Sequence, residues 1–252
     1  MAINMNYFIG NWKMFGVPKS LKILTKINSF VKKDKNRKKY KAIITPPFTL
    51  LESFAKYFRD KRVGIGAQNC YQKDFFSSNT GAISPFMIKN LGVKYVIIGH
   101  SDNRAEGDSS IILKNKLKFA LKNNLKVIFC IGENKIEKKN KKTNSTLKKQ
   151  LVTVLEKKFN YNNLIIAYEP IWSIGTGKIP EQKTLLNTSK FLKKTLNQIF
   201  KSKKSIPLLY GGSVDSSNIG HFKSITDING FLIGGASKTS KNFIDIIKNY
   251  YR

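Results

Sequence analysis

The chain is predicted to fold as an α/β protein, a closed (β/α)8 barrel of eight parallel strands ringed by helices. Three observations carry that expectation. Short apolar runs of strand length alternate with amphipathic stretches of helix length, which implies parallel strands joined by right-handed crossovers. Eight such units within 252 residues fit a closed barrel better than an open sheet. Polar or glycine-rich residues cluster just past the apolar runs, at the carboxyl ends where parallel α/β folds bind ligands. No boundary interrupts the pattern, so residues 1–252 read as one catalytic domain, with 41% hydrophobic content sufficient for one large core.

In chain order the strands and helices pair as Tyr7–Asn11 with Ser20–Lys33, Ala42–Thr45 with Phe48–Arg59, Val63–Ala67 with Pro85–Leu91, and Tyr95–Ile98 with Ser109–Asn123. The second half continues with Lys126–Ile131 and Ser145–Phe159, Leu164–Tyr168 and Glu181–Phe200, Pro207–Tyr210 and Ser216–Phe222, then Gly230–Ile233 and Ser240–Tyr251. The strand runs are nearly continuous in apolar and β-branched residues, as expected where both faces are covered. The helical stretches show the 3.6-residue period of an apolar stripe. The longest connection, Gln68–Ser84, contains Ser77, Ser78, Asn79 and Gly81 and reads as a protruding loop with a partner or considerable mobility.

Composition narrows the function. No apolar run approaches the roughly 20 residues of a membrane span, and Met1–Phe8 lacks a signal-peptide core, so an unexported, soluble protein is expected. Cys70 and Cys130, both beside strand-like runs, suit a reducing compartment rather than a disulfide framework, and two Cys with two His give no metal-ligand spacing. The formal net charge of +31 is the abnormal feature. Lysines recur on almost every predicted helix and in connecting runs such as Lys32–Lys41, Lys135–Lys142 and Lys201–Lys204, without gathering into one aromatic-interleaved stripe. Attraction of small anions, or a biased nucleotide composition in the source genome, therefore ranks above specific nucleic-acid binding.

The chemistry centres on Leu164–Lys178, LIIAYEPIWSIGTGK. Glu169 ends an apolar strand, Pro170 stiffens the exit, and Gly175 and Gly177 permit backbone angles that other residues resist. Ile171, Trp172 and Ile174 lie on a loop that would be polar if it only faced water, so they need something to close upon. Taken alone, Glu169 reads as a strand-ending surface charge, Lys13 as a solvated one and His100 as a satisfied structural histidine. Gathered on one rim they become a base, a fixed cation and a proton donor. The turn Gly99–Arg104 opens a helix, whose N-terminus disfavours imidazolium. His221, on an outer helix, reads as structural. Glycine pairs after the seventh and eighth strands, Gly211–Gly212 and Gly234–Gly235, suit backbone capture of a phosphate. The set suggests proton transfer beside a carbonyl in a small phosphorylated sugar.

The motifs FIGNWKM (8–14), PPFTLL (46–51), GAQNCY (66–71), TGAISP (80–85), YVIIGHS (95–101), YEPIWSIGTGK (168–178), LYGGSV (209–214) and IGGAS (233–237) together resemble the triosephosphate isomerase family along nearly the whole chain. The resemblance implies the TIM-barrel fold and interconversion of dihydroxyacetone phosphate and D-glyceraldehyde 3-phosphate through an enediol(ate), in glycolysis and gluconeogenesis, without metal or organic cofactor. It implies that Glu169 is the base and His100 the electrophile, and that Lys13, supported by Asn11, stabilises the enediolate and the bound dianion. Backbone groups of Gly175, Ser213, Gly234 and Gly235 would hold the phosphate, with Ile174 and Leu232 clamped over the base. The family is homodimeric, and the Gln68–Ser84 loop resembles its interdigitating loop, with Thr80 reaching the neighbour's site; the absence of an export signal and the two cysteines lead to a cytoplasmic expectation.

Several positions depart from the family pattern. Asp102 stands where the family has Glu, one methylene shorter, which bears on the orientation of Lys13. Ala82 and Asn103 replace a Glu and an Arg that pair across the family's dimer interface; loss of both partners is far less costly than loss of one. Lys238 adds charge near the phosphate loop. The alternative to an isomerase is a basic barrel that binds without turnover, and intact Lys13, His100 and Glu169 favour the enzyme.

Overall fold

The computed structural model describes residues 5–202 and 205–252; the remainder, including Lys203 and Lys204 of the last basic run, lie outside the described residues. Eight strands close in sequence order: β1 (Asn6–Asn11), β2 (Tyr40–Thr45), β3 (Gly64–Ala67), β4 (Tyr95–Ile98), β5 (Lys126–Ile131), β6 (Leu164–Tyr168), β7 (Leu208–Gly212) and β8 (Gly230–Ile233). Every adjacent pair is parallel, and β1 pairs with both β2 and β8, setting Tyr7 opposite Lys41 on one side and Gly230 on the other. Strand alternation then divides the apolar residues into two cores. Ile9, Ile43, Ile97, Ile128, Ile165, Leu209 and Leu232 fill the barrel interior. Their neighbours Phe8, Ile44, Val96, Phe129, Ile166, Tyr210 and Phe231 pack outward against the helices. The continuous hydrophobicity of the strands in sequence reflects this burial on both faces.

The helical ring consists of α1 (Leu21–Lys33), α2 (Phe48–Phe58), α3 (Pro85–Asn90), α4 (Ser101–Ala105), α5 (Ser110–Lys122), α6 (Lys135–Lys139), α7 (Thr143–Val152), α8 (Gln182–Phe200) and α9 (Ser240–Tyr250). Side-chain caps set several starts: Ser84 accepts the Met87 N–H and Ser109 the Ile112 N–H. Three helical expectations change. The segment read as a basic connection at Lys135–Lys142 contains α6, because Asn134 and Glu137 form a reciprocal capping box with both bonds at 2.8 Å. The expected helix Ser145–Phe159 starts earlier and stops at Val152, where the Thr153 hydroxyl bonds back to the Lys149 carbonyl. The expected helix Ser216–Phe222 is only a single 3-10 turn, Ile219–Phe222. There the Asp215 carboxylate takes the Ser217 and Asn218 N–H groups, and this local side-chain bonding competes with a helical start. No helix among the described residues is long and apolar enough to cross a membrane.

Closure is tightest where β8 meets β1. Gly230 has φ +133°, and a Cβ there would run into the backbone carbonyl and amide of Tyr7. Gly230→Ala is expected to cost about 3 kcal/mol or more, combining overpacking with a disfavoured backbone angle. Chemical denaturation measures this directly, and a loss below about 1 kcal/mol would contradict the close approach.

Candidate active site

All eight strands point their carboxyl ends to one rim, which carries a cavity of about 420 Å³. Asn11, Lys13, His100, Glu169, Ile174, Gly175, Ser213, Leu232, Gly234 and Gly235 all line it. Residues scattered over more than 200 positions are thus brought together on one rim. Thr80 and Asp102 are exceptions. Thr80 is exposed on the 68–84 loop, and Asp102 lines an adjoining cavity of about 270 Å³ with Lys13, Met14, Asn103 and Glu106.

His100 leaves β4 as the N-cap of α4, and its Nδ1 accepts the Asp102 N–H at 3.1 Å. An acceptor at Nδ1 has no proton, so the ring carries its hydrogen on Nε2. That atom faces Glu169, 3.8 Å from Oε1, a separation too long for a hydrogen bond. Glu169 is anchored through its backbone N–H to the Ile131 carbonyl at 2.8 Å. Its side chain is buried, and Oε2 has no hydrogen-bond partner among the described residues. A carboxylate oxygen left without a partner is open to a proton from a molecule bound in the cavity.

Lys13 follows β1 in the left-handed region, with φ +54°. Such an angle is strained for a residue with a side chain and persists only where its surroundings hold it. Here the Asn11 side chain accepts the Lys13 N–H at 3.1 Å, and Gln68 donates to the Lys13 carbonyl at 2.9 Å. The ammonium reaches Asp102 Oδ2 at 3.1 Å, so the shorter carboxylate still orients Lys13. Both groups are partly exposed, which makes this pair a positioning contact rather than a source of stability.

The loop from Pro170 to Lys178 is moored to two neighbours. Ser213 Oγ accepts the Gly177 N–H at 2.9 Å and donates to the Ser173 carbonyl at 2.7 Å. Gly175 and Gly177 adopt φ of +70° and +75°, the angles for which glycine suits this tip. Trp172 donates its indole N–H to Glu133 Oε1 at 2.8 Å, and the Tyr168 hydroxyl bonds the same oxygen at 3.2 Å. Glu133 is 1% exposed, and burial raises its pKa above the usual glutamate value despite these bonds.

Sequence reasoning passed over Glu133, although Gly132–Glu133 repeats after β5 the strand-then-acid pattern noticed at Glu169. It also gave no role to Arg104, which clamps the Gly99 carbonyl at 2.7 Å and the Cys130 carbonyl at 2.8 Å, tying β4 to β5 beneath the site. Cys130 is buried, and burial followed by the Glu169 charge pushes its thiol well above the ordinary value, which leaves it unreactive. His221 is structural, with Nε2 3.0 Å from the Pro180 carbonyl. Among the described residues no three His, Cys, Asp or Glu side chains gather as metal ligands.

A buried carboxylate, an Nε2–H imidazole and a fixed ammonium that share one cavity with a glycine-rich rim define a barrel isomerase that moves protons on a small anion. Comparison with known proteins agrees. The triosephosphate isomerase family model matches residues 6–250. Triosephosphate isomerase of Bartonella bacilliformis is 37% identical over 245 residues, covering 96% of this chain and 95% of the relative. That of Saccharomyces cerevisiae is 38% identical over 251 residues, covering 96% and 98%. The crystal structure of the Bartonella henselae triosephosphate isomerase superposes with a TM-score of 0.88 at 33% identity, over 98% of this chain and 99% of that one. The chain belongs to the triosephosphate isomerase family.

The position of Glu169 depends on a missing side chain. A Cβ on Gly211 would strike the Glu169 Cγ and lie 2.8 Å from Oε1. Gly211→Ala is expected to displace the carboxylate and lower kcat about 100-fold, the usual penalty of misplacing a reacting group by about 1 Å. Turnover within threefold of the parent, in a variant of unchanged circular dichroism, would refute this dependence.

Proposed function

We propose that the chain interconverts dihydroxyacetone phosphate and D-glyceraldehyde 3-phosphate by the following division of labour. Glu169 removes a proton from the carbon bearing the hydroxyl, forming an enediol(ate), and returns it to the neighbouring carbon. The His100 Nε2–H polarises the carbonyl and passes a proton between the two oxygens. Lys13, placed by Asn11 and Asp102, stabilises the developing negative charge and the substrate dianion. Backbone groups of Gly175, Ser213, Gly234 and Gly235 receive the phosphate, and Ile174 and Leu232 shield the base. Lid closure, for which this family is a standard example, keeps water from the intermediate. The observation that carries the reading is the approach of Glu169 Oε1 to His100 Nε2 inside one cavity that also holds the glycine rim. Nothing in the site favours binding without turnover. The reaction places the chain in glycolysis and gluconeogenesis.

A coupled isomerase assay tests the base. Glu169→Asp draws the carboxylate back by one methylene and is expected to lower kcat by about 100-fold or more with a smaller change in KM. Equal background rates in parent and variant would exclude catalysis by this site.

We also propose that the protein is a single-domain cytoplasmic homodimer. Two free, buried cysteines suit a reducing compartment. The 68–84 loop presents Phe76, 77% exposed, and Phe75 stacks on Phe86 at 4.4 Å. Met14, 99% exposed, borders the adjoining cavity that also contacts Lys13 and Asp102. A second copy's loop, bringing Thr80, suits that cavity and would cover both apolar groups. Ala82 and Asn103 bring no buried charge to such an interface, so the dimer is expected to persist at micromolar concentration in sedimentation equilibrium. A monomer there would refute it.

A further inference from the structure

The amino-terminal mouth of the barrel, opposite the active site, holds a cavity of about 510 Å³, a volume suited to a small-molecule ligand. Seven Lys and Arg side chains line it, and among the described residues no carboxylate does. Asp34, whose carboxylate takes the Tyr40 hydroxyl at 2.7 Å, lies outside the lining. Strand alternation explains how the charges enter. Ile43 and Ile128 point into the barrel, so Lys41 and Lys126, two positions earlier on β2 and β5, also point inward in its lowest layer. Both are half-buried. Gly64 on β3 keeps that layer open, since a Cβ there would crowd Ile43 and Tyr95 at 3.2 Å.

Two inward ammoniums without a counter-ion are an unfavourable arrangement for a barrel alone. Burial, and after it the Lys41 charge, lowers the pKa of Lys126, so the two groups feel one another. Arg37, Lys38 and Lys94 surround them at the rim, and none of the five forms an ion pair among the described residues. Tyr95, only 6% exposed, forms part of the floor. Converging cations, a tyrosine in the lining and no acid make a site for several adjacent negative charges rather than one.

We propose that this mouth is a second anion site, distinct from the active site, that takes a compact oligophosphate of the kind found as inorganic tripolyphosphate or as the tail of a nucleoside triphosphate. Its charge density matches three adjoining phosphates better than the single phosphate of a triose.

Isothermal titration calorimetry of the full chain with tripolyphosphate, with ATP and with inorganic phosphate tests the assignment. Lys41→Gln/Lys126→Gln is compared with Lys148→Gln/Lys149→Gln, a charge-matched pair of exposed lysines on α7. We expect tripolyphosphate to bind the parent and the α7 variant alike, and the mouth variant at least about tenfold more weakly, with kcat/KM for the isomerase reaction unchanged in both. Equal affinity for ATP and tripolyphosphate would mean that phosphates alone are read; tighter ATP binding would add nucleoside contacts. Should the mouth variant fold poorly, Arg37→Gln/Lys38→Gln on the exposed rim is expected to weaken binding in the same direction. Equal weakening by the mouth and α7 substitutions would reduce the effect to overall charge and overturn the proposal. Unaltered binding in the mouth and rim variants, or binding of phosphate as tight as that of tripolyphosphate, would overturn it too.

Discussion

The backbone ladder between β1 and β8 turns a ribbon of eight strands into a closed barrel, and every functional distance follows from that closure. Because all strands run the same way, residues that follow them share one rim whatever their separation in sequence. Lys13, His100, Glu169 and Ser213 meet for this reason, and the glycines after β8 complete the circle beside β1. The same constraint collects residues at or just before the starts of strands on the other rim. Lys41, Lys94 and Lys126 share a cavity there without any local sequence relation.

Packing around Glu169 shows how closely the scaffold limits its carboxylate. Gly132 and Gly211 lie against the backbone and side chain of Glu169, where a Cβ at either would collide. Lys13 is held at a disfavoured angle by Asn11 and Gln68. Among the described residues, the two buried side-chain oxygens lacking partners belong to Glu133 and Glu169, both at this rim. Such features cost stability, which the two apolar layers of the barrel supply, and they concentrate where chemistry needs a preset geometry. The loop 170–178 is fastened differently, by the Ser213 hydroxyl and by the Trp172 bond to Glu133 rather than by deep apolar burial. Each such bond is worth about 1 kcal/mol net, so the loop can be released without disturbing the barrel.

The strands were legible because burial on both faces leaves nearly unbroken apolar runs, and β4, β5, β6 and β8 have the expected bounds. The helices were less so. A basic run such as Lys135–Lys139 hides its helix, since the signal lies in the flanking Asn134 and in Glu137 rather than in an apolar stripe. At Ser216–Phe222 side-chain bonds to the backbone override the periodic pattern. Within the site, Glu169, His100 and Lys13 stand out by type and by position after strands. Arg104 and Glu133 act through contacts with residues distant in sequence, and no local pattern announces such partners.

The sequence by itself determined which residues end strands, which loops hold glycine at φ-demanding positions, and which acids, imidazoles and amines are available for chemistry. These are local properties, set by residue type and short-range periodicity. Only the tertiary structure decided that the proton of His100 sits on Nε2, that Asp102 still reaches Lys13, and that scattered lysines become a basic mouth. Each depends on distances across the closed sheet, where strand register and inward or outward direction fix contacts that spacing along the chain does not encode.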